Sequence, residues 1–361
     1  MKLIIAGNYG AHNLGDELIL EGILTAIRRI KPAAEITILS EKPQETKNKY
    51  EVHCLKKFPA GFRSLFFRLL NGDFKKTSKA VKECDFFMFG GGGLFDGTTL
   101  KGMIIWAVQA AFAYRYKKPV ILYAQSVSSI DSKLKRWIVK KVFGKAVFIS
   151  VRDENSKEIL KDIIKGKQVY IMPDMIFRIE DFKQTRTPNS QNKVLICLKK
   201  IEWMKEELKA SIIEFANNLL RENMTVEFLP FAIEDEKYLN EIADKITQKE
   251  KIEIHRFTED KNRISEIFQT ADFVLGMRLH GVLMAIICGI PFIAINYNPK
   301  VENLLKSVGL EENLIEPEDV DSETLITRFL KRSERNTFQQ ICEDQLKKHL
   351  EVESHLKVLL D

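Results

Sequence analysis

One alternation, occurring twice, limits what this chain can become. Apolar runs of four to six residues at 2–6, 35–39, 85–89, 119–124, 147–150 and 169–172 are separated by helical stretches such as 16–29, 101–116 and 133–145. The pattern restarts at 194–198 and continues through 225–229, 252–255, 272–275 and 292–295, with helices at 206–222, 235–247, 263–270 and 282–288 between them. Near-continuous apolar strands divided by helices belong to parallel sheets covered on both faces. The expected fold class is therefore α/β, with two doubly wound, Rossmann-like domains facing across a cleft. Residues 179–192 are charged, carry Pro188-Asn189-Ser190 and show no periodicity, which marks a linker. The expected domains are residues 1–185, residues 186–330, and a C-terminal helix at 331–361 that packs back on the N-terminal domain.

At 361 residues the chain exceeds what a single core usually supports. Apolar content of 45% and charged content of 29% describe a globular protein with ample core. The net charge of +6 favours acidic ligands or a membrane surface and is too small to argue for nucleic acid. Five cysteines, far apart and without C-x-x-C spacing, read as reduced core residues, so neither a disulfide frame nor a metal site is expected. The first strand begins at once, without a signal peptide's apolar region, and no window reaches the ~18 apolar residues of a membrane span. Residues 102–114, the most apolar long segment, are expected as a buried helix. Residues 56–82 interleave lysines and arginines with phenylalanines. Such a stretch suits either peripheral contact with anionic lipid or a packed helix with a solvated basic face.

Residues 271–291, ADFVLGMRLHGVLMAIICGIP, give a strand, a polar turn and an apolar helix closed by Gly289 and Pro291. Open α/β sheets place ligands outside the carboxyl ends of their strands, where such turns lie. Arg278 is a permanent cation and His280 titrates near neutrality, and both precede free helix N–H groups that favour an anion. The structural alternative, in which Arg278 caps a neighbour and His280 is a wall residue, stays open on the turn alone. Arg152, at a strand end before Asp153 and Glu154, is a second inward-pointing cation or half of a surface pair worth under ~1 kcal/mol. Asp16 and Glu17 are first-turn acids favoured by the helix dipole, and Asp16 also lies near Asn8 and Asn13 at the expected cleft. Gly90 to Gly93 follow a strand and permit close backbone approach to a ligand. Arg152, Arg278, Lys300 and His280 thus come from the ends of different strands, a set that suits a compact, multiply anionic substrate. Walker A, G-x-S-x-G and kinase signatures are absent, which disfavours P-loop hydrolysis and acyl transfer, and the first loop is not G-x-G-x-x-G.

GNYGAHNLGDE, GGGGLF, SVRDENS, IMPDMIF, the LPF-plus-acid segment at 229–235, and GMRLHG followed by IPFIAINYNPKVENLLKSVG resemble the polysaccharide pyruvyl transferase family. The likeness runs in order from about residue 3 to residue 309. It implies a GT-B-like two-domain fold and transfer of pyruvate from phosphoenolpyruvate onto a sugar as a ketal, with release of phosphate. By the same resemblance, His280 and Asp16 are the catalytic pair. Arg152, Arg278, Lys300, Gly91 and Gly92 bind phosphoenolpyruvate, and Asn8, Asn13, Glu17 and Gln125 face the acceptor. Phosphoenolpyruvate is a co-substrate and no cofactor is implied. The acceptor is a lipid-linked or nucleotide-linked sugar of a cell-surface polysaccharide precursor, and the expected location is cytoplasmic, at the inner face of the cell membrane.

Three departures from the family pattern stand out: Asp96-Gly97 in place of Gln-Asp, Ser126 to Ser129 where glycines and a proline are usual, and Lys199-Lys200 where a strand usually ends in Arg. Lysine keeps the charge and loses the bidentate fork. Two other readings therefore stay open: a glycosyltransferase using a nucleotide-sugar donor, and an inactive sugar- or anion-binding relative.

Overall fold

A computed structural model describes residues 1–59, 71–179, 182, 192–201, 205–331 and 336–361. Most of the expected linker and the middle of the basic aromatic stretch lie outside these residues. The chain divides into two compact units: Met1–Ala11, Asp16–Ile179 and Gln345–Asp361 form the first, and His12–Gly15 with Glu180–Asp344 form the second.

In the first unit β1 (Lys2–Ala6), β2 (Glu35–Ser40), β3 (His53–Lys56), β4 (Phe86–Phe89), β5 (Val120–Gln125), β6 (Phe148–Val151) and β7 (Tyr170–Ile171) form one parallel sheet, ordered β3-β2-β1-β4-β5-β6-β7. Its helices are α1 (Leu14–Ile30), α2 (Pro43–Tyr50), α3 (Asp73–Glu83), α4 (Leu100–Arg115), α5 (Lys133–Phe143) and α6 (Glu154–Ile163). Side chains alternate between the faces of a strand. Leu3 and Ile5 accordingly enter one core with α1, while Ile4 and Ala6 enter another with α4 and α5. Burial on both faces is why the strands read as unbroken apolar runs.

The second unit repeats this plan. Strands β8 (Lys193–Cys197), β9 (Thr225–Phe228), β10 (Ile252–Ile254), β11 (Phe273–Gly276), β12 (Phe292–Ile295) and β13 (Leu314–Ile315) form a parallel sheet ordered β10-β9-β8-β11-β12-β13. Helices α7 (Glu206–Arg221), α8 (Ile233–Ala243), α9 (Lys261–Thr270), α10 (Leu279–Ile287), α11 (Pro299–Val308) and α12 (Ser322–Leu330) surround it. The last helix, α13 (Asn336–Leu360), contributes up to Asp344 to the second unit and from Gln345 to the first. There Leu356 is fully buried, and Glu353 pairs with Arg29 at 2.6 Å and Arg178 at 2.9 Å.

One expectation changes. The helix at 102–114 is not buried all round: α4 leaves Ile104 43% and Val108 57% exposed. Its residues are apolar on the outward face as well as the inward one, and no element among the described residues covers that side. The described flanks of the basic aromatic stretch fit the packed alternative, with phenylalanines inward and Lys75, Lys76, Lys79 and Lys82 exposed. Phe58 is buried against Phe74 and Phe112, with ring centroids 6.1 and 4.9 Å away, and Glu41 pairs with both Lys56 and Lys57. No helix among the described residues is long and apolar enough to cross a membrane.

Candidate active site

Each sheet has one point where chain order reverses, between β1 and β4 in the first unit and between β8 and β11 in the second. Connections leave in opposite directions there and open a crevice outside the carboxyl ends of the strands. Asn8 and Gly92 follow the two strands at the first point, and Lys199, Arg278 and His280 those at the second, while Arg152 follows β6 and Lys300 follows β12.

In the first unit the register between β5 and β6 shifts between Leu122 and Gln125, and Ala124 takes a left-handed φ of 48°. Strain of this kind in a non-glycine residue, at a bulge, re-aims the groups around it. The Ala124 carbonyl accepts hydrogen bonds from Gly92 N–H at 3.3 Å and Arg152 Nε at 3.3 Å. Gln125, fully buried, donates to the carbonyls of Phe89, Gly90 and Tyr123. Arg152 Nη1 pairs with buried Asp174 at 2.9 Å, whereas its buried Nη2 finds no hydrogen-bond partner among the described residues. Gly92 adopts a φ of +110°, a region L side chains rarely enter. A Cβ placed there would lie 3.8 Å from both Arg152 Nη2 and Asp16 Oδ1, so the glycine keeps the approach to both open. Asn8 Nδ2 donates to Asp16 Oδ2 at 2.9 Å. The first unit therefore brings Asn8, Asp16, Gly92 and Arg152 together.

Glu17 is 2% exposed, and it accepts from Gly10 N–H at 2.9 Å and the Tyr50 hydroxyl at 2.8 Å. Its carboxylate holds the loop after β1 in shape. Tyr9, which sequence reasoning passed over, is buried beside this loop, and its hydroxyl has no partner among the described residues. Burial, followed by the charges of Asp16 and Glu17, pushes its phenol well above the ordinary value, which keeps the hydroxyl protonated.

In the second unit Arg278 caps α10, and its backbone N–H and that of Met277 donate to the Cys197 carbonyl at the end of β8. Its guanidinium forks onto Asp235, with Nε to Oδ2 at 2.8 Å and Nη2 to Oδ1, and Nη2 also reaches Glu234 at 3.5 Å. Asp235 in turn accepts from the N–H groups of Phe231 and Ala232, so the pair fastens the turn before α10 to the start of α8. Burial disfavours the Arg278 charge, but the hydrogen bonds and charge of Asp235 outweigh it and raise the guanidinium pKa. The structural alternative for Arg278 is therefore realised: the guanidinium fastens the turn to α8.

His280 lies in the first turn of α10 with its ring against Gly15. A Cβ at Gly15 would stand 2.1 Å from His280 Nδ1, so only glycine admits the ring there. His12 to Gly15 are tied to this unit by a bridge from Asn13 to Ala232 and by the Leu14 N–H to Phe231 carbonyl bond at 2.9 Å. Lys300 begins α11, where its N–H is capped by Asn298 Oδ1 at 3.0 Å.

Lys199 was noted in the sequence only as a departure. It follows β8 at the reversal point, half-buried, with Nζ 5.5 Å from the Tyr297 ring centroid. Burial first, then the charges of Arg278 and Lys300, lower its pKa. Lys199 thus feels two further cations, Arg278 and Lys300, offset in part by Asp235 and Glu234. The signal that could have found Lys199 was its place after β8, the strand next to β11.

One group among the described residues has metal-ligand types close together. Glu227, Glu253 and His255 bring ligand atoms within 4.8 Å of one another. Glu227 is already bound by Lys193 Nζ at 2.6 Å and His255 Nε2 at 2.8 Å, so the group is an ion-pair network with an ammonium where a cation would sit.

Two parallel doubly wound sheets, each with polar and cationic residues at its reversal point, define a protein of the GT-B-like class. Residues 13–299 match the family description Polysaccharide pyruvyl transferase, and the chain belongs to that family. The amylovoran biosynthesis protein AmsJ of Erwinia amylovora is 21% identical over 368 residues, covering 86% of this chain and 87% of its own. Among solved structures, HepE of Anabaena in complex with UDP and glucose has a TM-score of 0.64 at 12% identity, covering 100% of this chain and 99% of that one. UDP-GlcNAc 2-epimerase from Neisseria meningitidis bound to UDP-GlcNAc has a TM-score of 0.66 at 12% identity, covering 100% of both chains. At such identities the structural likeness shows the fold.

Proposed function

We propose that the protein transfers pyruvate from phosphoenolpyruvate to a sugar of a cell-surface polysaccharide precursor, forming a ketal and releasing phosphate. The observation that carries this reading is the cluster of Lys199, Arg278 and Lys300 around the turn that presents His280. Arg152, whose Nη2 finds no hydrogen-bond partner among the described residues, is the cation the first unit offers. These groups bind the carboxylate and phosphate, each charge-assisted hydrogen bond contributing about 1.5–3 kcal/mol. His280 protonates the methylene carbon, which makes the central carbon electrophilic. A sugar hydroxyl attacks that carbon as Asp16 takes its proton, and Asn8 holds Asp16 in place. The bond between that carbon and the phosphate oxygen then breaks with its electron pair on oxygen, and a second hydroxyl closes the ketal on the resulting oxocarbenium carbon, its proton passing to the departing phosphate.

The test is acceptor-dependent phosphate release from phosphoenolpyruvate, using lipid-linked and nucleotide-linked sugars. His280→Gln is expected to lower turnover about 10²–10⁴-fold, the usual weight of a general acid, while the protein remains folded. Near-normal turnover in that variant would remove His280 from the mechanism. A nucleotide-sugar donor is the second reading, favoured by a fold shared with HepE in complex with UDP and glucose. Release of nucleoside diphosphate, with phosphoenolpyruvate left intact, would establish it instead.

A further inference from the structure

Helices α4 and α5 lie side by side and bury one face each: Met103, Trp106 and Ala110 on α4, and Ile138, Val142 and Phe143 on α5. Their outward faces are apolar too. Ile104 and Val108 on one helix, and Leu134 and Trp137 on the other, are 43%, 57%, 48% and 56% exposed. Between them runs a groove of about 660 Å³ whose rim carries Arg115, Lys141 and Lys145. Lys141 Nζ stands 5.9 Å from the Trp137 ring centroid, which keeps an indole and an ammonium together at the edge.

The charge carried by the two helices themselves has one sign. The two helices hold Lys101, Arg115, Lys133, Lys135, Arg136, Lys140 and Lys141, and neither contains an aspartate or glutamate. Of these, Lys135 is paired, with Asp131 at 2.9 Å. An exposed apolar patch ringed by polar residues marks an interaction site. The ring says what kind. Two copies meeting through this face would set like charges against each other, which is costly. An anionic bilayer satisfies both parts: aliphatic side chains and an indole enter the boundary between headgroups and acyl chains, while long basic side chains extend to the phosphates.

We propose that the α4–α5 face is a docking surface for an anionic lipid bilayer. The assignment is independent of which donor the active site uses. It also places lipid contact on a surface other than the basic stretch at 56–82.

Co-sedimentation of the full chain with phosphatidylcholine vesicles, with and without phosphatidylglycerol, tests it. Binding is expected only with phosphatidylglycerol and should weaken at high salt. The double substitution Ile104→Ser and Trp137→Ser, and separately Lys140→Glu with Lys141→Glu, should each reduce binding at least about tenfold with unchanged circular dichroism and melting temperature. Equal binding to both vesicle types would overturn the proposal. So would binding that survives both pairs of substitutions yet is lost with Lys75→Glu and Lys76→Glu. A third overturning result is a concentration-dependent dimer that Trp137→Ser dissolves, in a protein that leaves vesicles untouched.

Discussion

Helices α10 and α4 are both strongly apolar and have opposite fates. In α10 every residue from Gly281 to Ile287 is buried, and Cys342 of α13 sits against the Ile286 carbonyl. It carries no charge after His280 and is sealed within one unit. α4 has the same kind of composition at its centre, yet Ile104 and Val108 meet solvent. The contrast is set by neighbours. Both helices follow a central strand, β11 and β4, but α10 has α13 against it, whereas α4 lies beside α5, whose outward face is basic as well as apolar. Apolar composition says that a helix will be covered and leaves open whether this chain supplies the cover.

If α10 is held by this chain alone, damage around it should unfold the second unit. Asp235→Ala has the largest expected effect on stability, because it leaves the Arg278 guanidinium buried without its partner; about 3–5 kcal/mol should be lost in urea unfolding. Leu283→Ala, at a fully buried position in the middle of α10, should cost about 2–4 kcal/mol by the same measurement. A loss below about 1 kcal/mol would mean that α10 is no better packed than α4.

The alternation of short apolar runs and helices was enough to give two parallel sheets, since burial on both faces leaves a direct mark on composition. The ends of the strands were legible too, and Arg278, His280, Asp16 and Arg152 lie in the turns or first helical turns that follow them. The partners of these residues were not. Asp235 lies 43 positions from Arg278, and only folding makes them a bidentate pair. Nor did the string show that Glu17 would be buried under its own loop, because a first-turn acid looks the same whether it faces solvent or backbone N–H groups. Lys199 was visible only as a change from a family pattern. Its meaning came from Arg278 and Lys300, which reach it from other strands.

Lys199 offers a smaller effect, read as pH dependence. Its folded-state pKa is lowered by burial and by its cationic neighbours, so between that value and the ordinary lysine value the unfolded chain holds a proton the folded chain lacks. Stability should therefore rise with pH across this window. Anion affinity should move the other way, because the anion favours the protonated amine. Isothermal titration with phosphoenolpyruvate should show affinity falling by up to about tenfold per pH unit above the lowered pKa. Lys199→Met should bind more weakly at neutral pH and lose this alkaline limb. A variant that kept the limb would show that Lys199 is not its source.

The smallest effect is the most pointed. Val108→Ser exchanges an exposed branched side chain on α4 for a small polar one of similar helix propensity, and it opens no cavity because its neighbourhood is already open to water. The melting temperature should move by no more than about half a kcal/mol in equivalent stability, against several for Leu283→Ala in α10. Solubility of the isolated protein should hold or improve, since an exposed apolar contact is removed. A large destabilisation would show that Val108 packs against part of this chain after all, and the outward face of α4 would then be core, like α10. A neutral result leaves a helix whose outward apolar face contributes nothing to folding, and such a face is retained for what it meets outside the chain.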